Sequence, residues 1–375
     1  MAEVVIVGAG IMGCSCALRL AEAGVKTLVL ERSVPGAEAS SAAAGILAPL
    51  VEAHHATSRA RPAAALQLGL RSQTLHAELA AQLRDDHGID VGHRACGAMR
   101  VALGDDADLR DHLALVQGRP VEAINGDEAR AREPSLSRDV SLALDFPTSA
   151  QVEPTRLLPA IALAAERAGA SFRSGAFVRE VVVEGDRVRG VRVGEERIDA
   201  DHVIVAAGSW THLVPGMERE LDLRAVGLHP VRGQIVSTRT RPPVFRRVVF
   251  GAGGYLVTRP DGRVLCGSTE ERVGFRREVT FAGMRAIVDL ATAIAPSLAD
   301  AAIDQHWSSF RPGTSDGLPL VGSAGPDGLW LASGHFRNGI LLAPVTAEIL
   351  RDQITGETPF EAAQSVDPRR FRRAS

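Results

Sequence analysis

A glycine-rich loop near the start of the chain has the spacing that binds a dinucleotide. It reads Gly8-Ala-Gly-Ile-Met-Gly13 and lies between the β-branched run Val4–Val7 and a helix-like stretch that stops at Gly24. A second apolar run, Thr27–Leu30, ends at Glu31, about 20 residues beyond the loop. Such glycines allow a tight turn and close backbone approach to a pyrophosphate, which the free N–H groups of the next helix would bind. The alternative is a βαβ unit whose glycine-rich turn binds nothing.

The chain carries one complete unit of this kind. A second glycine cluster, Gly251-Ala-Gly-Gly254, lacks the third glycine and the following helix. Because enzymes that reduce FAD with a nicotinamide usually carry two nucleotide folds, we expect a single dinucleotide, either FAD or a nicotinamide.

Several other segments carry a family resemblance. They are Ser40-Ser-Ala-Ala-Ala-Gly-Ile-Leu-Ala-Pro49, residues 307–322, residues 328–344, Val231-Arg-Gly-Gln234, Tyr255-Leu-Val-Thr-Arg259 and Gly267-Ser-Thr269. Together they resemble the FAD-dependent amino-acid oxidases of the D-amino acid oxidase superfamily, and most closely the glycine oxidases of thiamine biosynthesis. The resemblance spans nearly the whole chain and is looser over residues 60–150.

The resemblance implies noncovalent FAD as the cofactor, since no cysteine stands near residues 310–345, where a covalent link would be expected. The implied FAD contacts are Gly8, Gly10, Ile11, Met12 and Gly13 at the pyrophosphate; Glu31, Arg32 and Val178 at the adenosine; Ser40, Ser41, Ala44, Gly45 and Ile46 along the flavin; His335, Phe336, Arg337, Asn338, Gly339, Ile340 and Leu341 at its pyrimidine end; and the flanking Gly208 and Gly334. A helix that starts near Gly339 would point its N–H groups at the flavin C2 oxygen, where reduction builds negative charge.

Arg311 and Arg337 are the candidates for a substrate carboxylate, because planar guanidinium groups bind carboxylates in bidentate geometry. The alternatives are a surface ion pair for Arg311 and a helix-end contact for Arg337. Tyr255, the only tyrosine of the chain, aligns with a substrate-side tyrosine of the family and would otherwise be a core aromatic. His335 is expected to be structural, because in this family the amine arrives neutral and its Cα hydride passes to the flavin, so no base is required.

Glu270 departs from the family pattern, which has an apolar residue after Ser268-Thr269. If Glu270 faces the pocket, it could bind the substrate ammonium or narrow the site. If the strand end shifts by one residue, it is merely solvated. Both alternatives stay open at the level of the sequence.

The implied reaction is oxidative deamination of a small amino acid. Glycine is favoured, with sarcosine and D-alanine beside it; oxygen is reduced to hydrogen peroxide, and the imino acid supplies thiazole synthesis for thiamine. The alternatives are a D-amino acid or sarcosine dehydrogenase that passes electrons to a quinone or carrier, and a flavin-binding partner without amine chemistry. The expected partners are the amino acid and oxygen, with no nucleic acid or membrane, and the chain is expected to form a homo-oligomer.

The order of the predicted helices and strands that must position these residues indicates an α/β fold, which is α+β when the whole chain is considered. A Rossmann-type FAD-binding domain would come from residues 1–85, 150–215 and 310–375, and an inserted antiparallel-sheet substrate domain from residues 86–149 and 216–309. Residues 178–183 and 188–193 predict a hairpin around Gly185-Asp186. Residues 281–294 and 340–354 predict helices.

Composition supports an ordinary globular protein. Of the 375 residues, 45% are apolar and 23% charged, and the net charge of −3 argues against a nucleic-acid partner. The four cysteines lack metal or C-x-x-C spacing, so we expect no disulfides and a reducing cytoplasm. The only adjacent histidines are His54 and His55, in a predicted solvated loop, and no metal site is expected. No targeting segment is recognised, and the apolar stretch 4–24 is interrupted by glycines and charges.

Overall fold

The computed structural model describes residues 3–53, 62–104, 107–216 and 223–371. The His54-His55 pair lies outside these ranges.

The helices are α1 (Ile11–Glu22), α2 (Ala39–Ala42), α3 (Pro49–Glu52), α4 (Pro62–His87), α5 (Ala107–Leu115), α6 (Gly126–Arg132), α7 (Pro154–Arg167), α8 (Leu223–Val226), α9 (Phe281–Ile294) and α10 (Gly339–Thr355). The strands are β1 (Val4–Val7), β2 (Thr27–Leu30), β3 (Ile46–Leu47), β4 (Ala98–Leu103), β5 (Glu122–Asn125), β6 (Val140–Phe146), β7 (Ala150–Gln151), β8 (Ser171–Arg173), β9 (Val178–Glu184), β10 (Arg187–Val193), β11 (Glu196–Asp199), β12 (His202–Val205), β13 (His229–Arg239), β14 (Val248–Gly251), β15 (Gly254–Thr258), β16 (Arg263–Gly267), β17 (Ile303–Gly313), β18 (Leu320–Ser323) and β19 (Leu329–Ser333).

A six-stranded sheet positions the glycine-rich loop. Its order is β18-β19-β12-β1-β2-β8, and all neighbours are parallel except β18 and β19. All four residues of β1 are buried, as expected for a strand covered on both faces. Because β2, β1, β12 and β19 are parallel, their carboxyl ends meet at one edge, which is where open α/β sheets bind ligands.

An eight-stranded sheet forms the second large layer. Its order is β17-β13-β16-β15-β14-β4-β6-β5, antiparallel apart from the pair of β14 with β4. The long strands β13 and β17 pair with Val231 opposite Arg311, and α9 packs on the sheet. The predicted α/β class, with a Rossmann-type sheet and an antiparallel sheet, is confirmed.

The division into two domains stays a prediction. The six-stranded sheet takes its strands from residues 4–30, 171–205 and 320–333, and the eight-stranded sheet takes its strands from residues 98–146 and 229–313. One predicted boundary, between residues 309 and 310, falls inside β17. The predicted hairpin is formed by β9 and β10, and both predicted helices are present as α9 and α10.

No helix in the described ranges combines the length and the apolar character needed to cross a bilayer. Within the same ranges, no three His, Cys, Asp or Glu side chains come together in a way that could hold a metal ion.

Candidate active site

A cavity of about 520 Å³ opens at the carboxyl edge of the six-stranded sheet and extends to the eight-stranded sheet. This volume lies in the range of small-molecule sites. Most of the residues predicted from the sequence line it: Gly8, Gly10, Ile11, Met12, Glu31, Arg32, Ser40, Ala44, Gly45, Ile46, Val178, Gly208, Tyr255, Arg311, His335, Phe336, Arg337, Asn338, Gly339 and Ile340. Five predicted residues do not stand in its wall: Gly13, Ser41, Glu270, Gly334 and Leu341.

The three glycines of the loop meet different steric demands. Gly8 has φ +105°, and a Cβ there would lie 2.7 Å from the carbonyl oxygen of Ala206. A Cβ on Gly13 would lie 1.9 Å from the carbonyl oxygen of Gly8, so this glycine lets α1 start against the loop. At Gly10 the nearest atom to a Cβ would be Ser40 Oγ at 3.3 Å. A side chain at Gly10 would therefore fill cavity space rather than collide with backbone.

Polar side chains bind the N-terminus of α1 and the loop before it. Ser40 Oγ accepts from the Ile11 N–H at 2.9 Å. The two carboxylate oxygens of Glu31 accept from the N–H groups of Ala9 and Ser33, both at 2.9 Å. Each carboxylate oxygen has a second lone pair, so Glu31 can also accept from ribose hydroxyls.

The opposite wall of the cavity contains the start of α10. Gly339 begins this helix, and a Cβ there would lie 3.9 Å from Met12 Cε. The N-termini of α1 and α10 thus converge on one cavity, and helix N-termini attract negative charge.

His335 lies beside this helix start and is buried. Its Nε2 pairs with Thr346 Oγ1 at 2.8 Å, while its Nδ1 has no partner among the described residues. Burial lowers the pKa of His335 to about 3. A partnerless buried nitrogen in the cavity wall, together with the open space over Gly10, fits a bound polar cofactor such as FAD.

At the other end of the cavity, Arg311 on β17 lies near Tyr255 on β15. Arg311 donates from NH1 to the Thr269 carbonyl at 3.1 Å and from NH2 to Ser268 Oγ at 2.5 Å. No carboxylate contacts Arg311 within the described part of the chain, and burial lowers its pKa. Tyr255 is 7% exposed.

Gly233 was not predicted as a site residue. It stands on β13, and a Cβ there would lie 2.3 Å from Arg311 NH1. Only glycine lets the guanidinium lie over this strand. The signal was present in the motif Val231-Arg-Gly-Gln234, where the glycine interrupts a strand pattern.

Glu52 is a second residue that the sequence did not predict for the site. It accepts from Arg337 Nε at 3.3 Å and from NH2 at 3.4 Å, and both side chains are nearly buried. Burial opposes the charge on Arg337, but Glu52 raises the pKa of Arg337 overall. Glu270 lies on the other side, with Oε2 3.8 Å from Arg337 NH1 and its side chain 44% exposed. Arg337 therefore sits between two carboxylates, and Glu270 stands at the rim.

Arg259 was also missed, although it ends the motif Tyr255-Leu-Val-Thr-Arg259. It is 3% exposed and donates to Gln151 Oε1 at 2.6 Å and to the Ala44 carbonyl at 2.7 Å. Burial lowers the pKa of Arg259 to about 10. This side chain ties the eight-stranded sheet to the backbone of the cavity loop that contains Ala44.

Comparison with known proteins identifies the family. The family described as DAO, FAD dependent oxidoreductase, matches residues 3–353. The chain is 32% identical to the glycine oxidase of Pseudomonas aeruginosa over 98% of this chain and 97% of that protein. It is also 32% identical to the bifunctional protein ThiO/ThiG of Trichormus variabilis, over 98% of this chain and 53% of that protein, and so spans about half of that relative.

A solved structure shows the same likeness. The crystal structure of glycine oxidase from Geobacillus kaustophilus matches with a TM-score of 0.89 and 30% identity, over 98% of each chain. The expectation of FAD rather than a nicotinamide is confirmed by the family. The chain belongs to the DAO family of FAD-dependent oxidoreductases.

Proposed function

We propose that this enzyme oxidises a small amino acid, glycine most readily, to the corresponding imino acid. Sarcosine and D-alanine are further substrates in this proposal. Oxygen takes up the two electrons and two protons that the amino acid loses and becomes hydrogen peroxide. The imino acid from glycine supplies thiazole formation for thiamine.

The observation that carries the proposal is the state of Arg311. It is a charged group at the cavity wall, and burial lowers its pKa although Glu270 and Glu52 act in the opposite sense from a distance. No carboxylate in the described part of the chain is in direct contact with it. A desolvated charge without a counterion is costly. Its two hydrogen bonds use two of five N–H groups. A substrate carboxylate is the anion that completes this site.

Tyr255 and Arg337 would complete the carboxylate site. The hydroxyl of Tyr255 can donate to one carboxylate oxygen, as its place in the cavity wall allows. Glu52 engages Nε and NH2 of Arg337, whereas NH1 faces only the half-exposed Glu270 at 3.8 Å. NH1 is therefore the nitrogen we assign to the substrate. Together these groups would hold the carboxylate. They would not contact the Cα–H, whose orientation would then depend on the shape of the cavity.

Bound FAD supplies the two-electron acceptor that this oxidation requires. The protein side of the chemistry is then binding and orientation. His335, with a pKa of about 3, is a poor proton acceptor at neutral pH. This favours a mechanism in which the amine arrives already neutral and no side chain removes a proton from it.

The relatives support the substrate and the pathway that we propose. Two glycine oxidases match this chain over nearly their whole length. In the bifunctional relative, a protein named ThiO/ThiG, the matched half is joined to further chain. Fusion of two segments in one chain is what we expect where the activity of one segment consumes the product of the other.

The test is oxygen consumption by the purified holoenzyme with glycine, sarcosine, D-alanine, D-phenylalanine and L-alanine. We expect turnover with the first three, one hydrogen peroxide formed for each oxygen consumed, and little or none with the last two. Substrate-dependent reduction of a quinone or dye without oxygen uptake would favour a dehydrogenase. D-phenylalanine outperforming glycine would contradict the small-substrate proposal.

A further inference from the structure

We propose that Phe275 and Arg277 close a ring of six side chains that slows release of the dinucleotide. The ring runs through Arg32, Trp210, Phe275, Phe310, Arg277 and Glu38 and returns to Arg32. Four members line the cavity, whereas Phe275 and Arg277 lie outside its wall. The proposal rests on FAD as the cofactor and is independent of the amino acid that is oxidised.

The aromatic half of the ring is continuous. The Arg32 guanidinium lies over the Trp210 ring, 4.2 Å from its centroid. Trp210 stacks on Phe275, with centroids 5.1 Å apart and planes at 25°. Phe275 meets Phe310 edge to face at 5.5 Å. Aromatic and cation–π pairs in these geometries contribute stabilising free energy beyond that of the apolar area they bury.

The ionic half closes the circuit. Arg277 lies over the Phe310 ring at 5.5 Å and forms an ion pair with Glu38. The other carboxylate oxygen of Glu38 pairs with Arg32 at 2.8 Å. Arg277 is 52% exposed and Phe275 39% exposed. Arg32, which lines the cavity, is 38% exposed, so the ring lies at the solvent-facing rim of the cavity, with Phe275 and Arg277 outside the cavity wall.

The segment that carries Phe275 and Arg277, residues 271–280, is held at both ends by Gln234. The Nε2 of this buried side chain donates to Glu271 at 2.6 Å, and its Oε1 accepts from the Thr280 N–H at 2.8 Å. Arg232 also pairs with Glu271. The segment is therefore anchored at both of its ends.

The ring joins the two large sheets across the cavity. Arg32 follows β2, Glu38 precedes α2 and Trp210 follows β12, all at the carboxyl edge of the six-stranded sheet. Phe310 lies on β17, and the 271–280 segment follows β16 of the other sheet. A dinucleotide that leaves past Arg32 and Glu38 would have to part these contacts, so the ring is a barrier to release.

The experiment measures FAD release from the holoprotein, followed by the rise in flavin fluorescence after dilution. Phe275→Ala should release FAD about tenfold faster, as expected for loss of an aromatic pair. Arg277→Gln should release it about threefold faster, because exposed ion pairs are weaker. Since either change opens the ring, the double variant should fall short of the product of the two effects. Arg285→Gln is the matched control, because Arg285 is an exposed arginine paired within α9.

Thermal unfolding of each apoprotein separates this effect from a loss of stability. If Phe275→Ala lowers the midpoint, Phe275→Leu keeps the apolar bulk without the stack, and Arg277→Gln alters only an exposed side chain. Release rates for Phe275→Leu and Arg277→Gln that match the Arg285→Gln control would overturn the proposal. Faster release in these variants at an unchanged midpoint would support it.

Discussion

The two ends of the cavity are built in different ways. At the dinucleotide end, backbone groups and glycines within residues 8–13 shape the wall, and the side chains that bind this loop, Glu31 and Ser40, are 22 and 29 residues from their partners. At the substrate end, side chains from four distant segments converge; Arg337 and Glu52 are 285 residues apart and Arg311 and Thr269 are 42 apart. The first end depends on local backbone geometry, and the second depends on long-range pairing of charges.

The largest expected effect tests the dinucleotide end. Gly10→Val should leave the purified protein without bound flavin, because the new side chain fills the space from which a pyrophosphate approaches the backbone. The fold should persist, since the nearest atom to the new Cβ is a side-chain hydroxyl. Flavin absorbance and apoprotein unfolding report the two effects.

Gly13→Ala is the matched comparison within the same loop. Its Cβ would collide with backbone, so it should destabilise the apoprotein by on the order of 3 kcal/mol. If Gly10→Val instead retained flavin, the pyrophosphate role of this loop would be wrong.

The next effect belongs to the substrate end. Arg311→Lys should lower kcat/KM for the amino acid about a hundredfold, from losing bidentate hydrogen bonds to a charged group. Flavin content should not change, because Arg311 is not among the predicted cofactor contacts. Steady-state kinetics and the flavin-to-protein absorbance ratio measure the two quantities. Wild-type activity in this variant would reassign Arg311 to a structural role.

A smaller effect should follow from Gly233→Ala. The added Cβ would displace the Arg311 guanidinium from β13, and a misplaced binding group should lower kcat/KM by about tenfold. Unchanged kinetics in Gly233→Ala would show that Arg311 does not need its position over β13.

The sequence could predict most of the dinucleotide end because its determinants are consecutive residues. It predicted β1, the loop, α1 and Glu31 from spacing alone, and the family resemblance added Ser40 and the start of α10. It could not predict Glu52, Gly233 or Arg259, since their partners Arg337, Arg311 and Ala44 are set by tertiary packing. The edge strand β17 gave no alternating signal, because its first four residues are all exposed.

The last prediction concerns the pH dependence of stability, which two histidines packed against α10 should set. His335 and His76 are buried, and burial lowers their pKa values to about 3 and about 4 from 6.5. The unfolded chain binds these protons first, so their contribution is complete above pH 6.5 and is lost as the pH falls towards 4. Unfolding free energy should decline by about 1.4 kcal/mol per pH unit for each histidine. When unfolding free energies from urea titrations of the apoprotein are plotted against pH, the decline below pH 6.5 should be shallower for His335→Gln than for the wild type. An equal decline would contradict the assignment of this effect to His335.

The central claim is that Arg311 receives the carboxylate of an amino acid whose electrons enter the bound flavin. Anaerobic titration of the flavin spectrum with glycine and with glycinamide, which lacks the carboxylate, tests it most directly. We predict that glycine bleaches the flavin of the wild type at concentrations where glycinamide does not, and that Arg311→Lys abolishes the difference. Bleaching by both compounds alike, or by neither, would contradict this account.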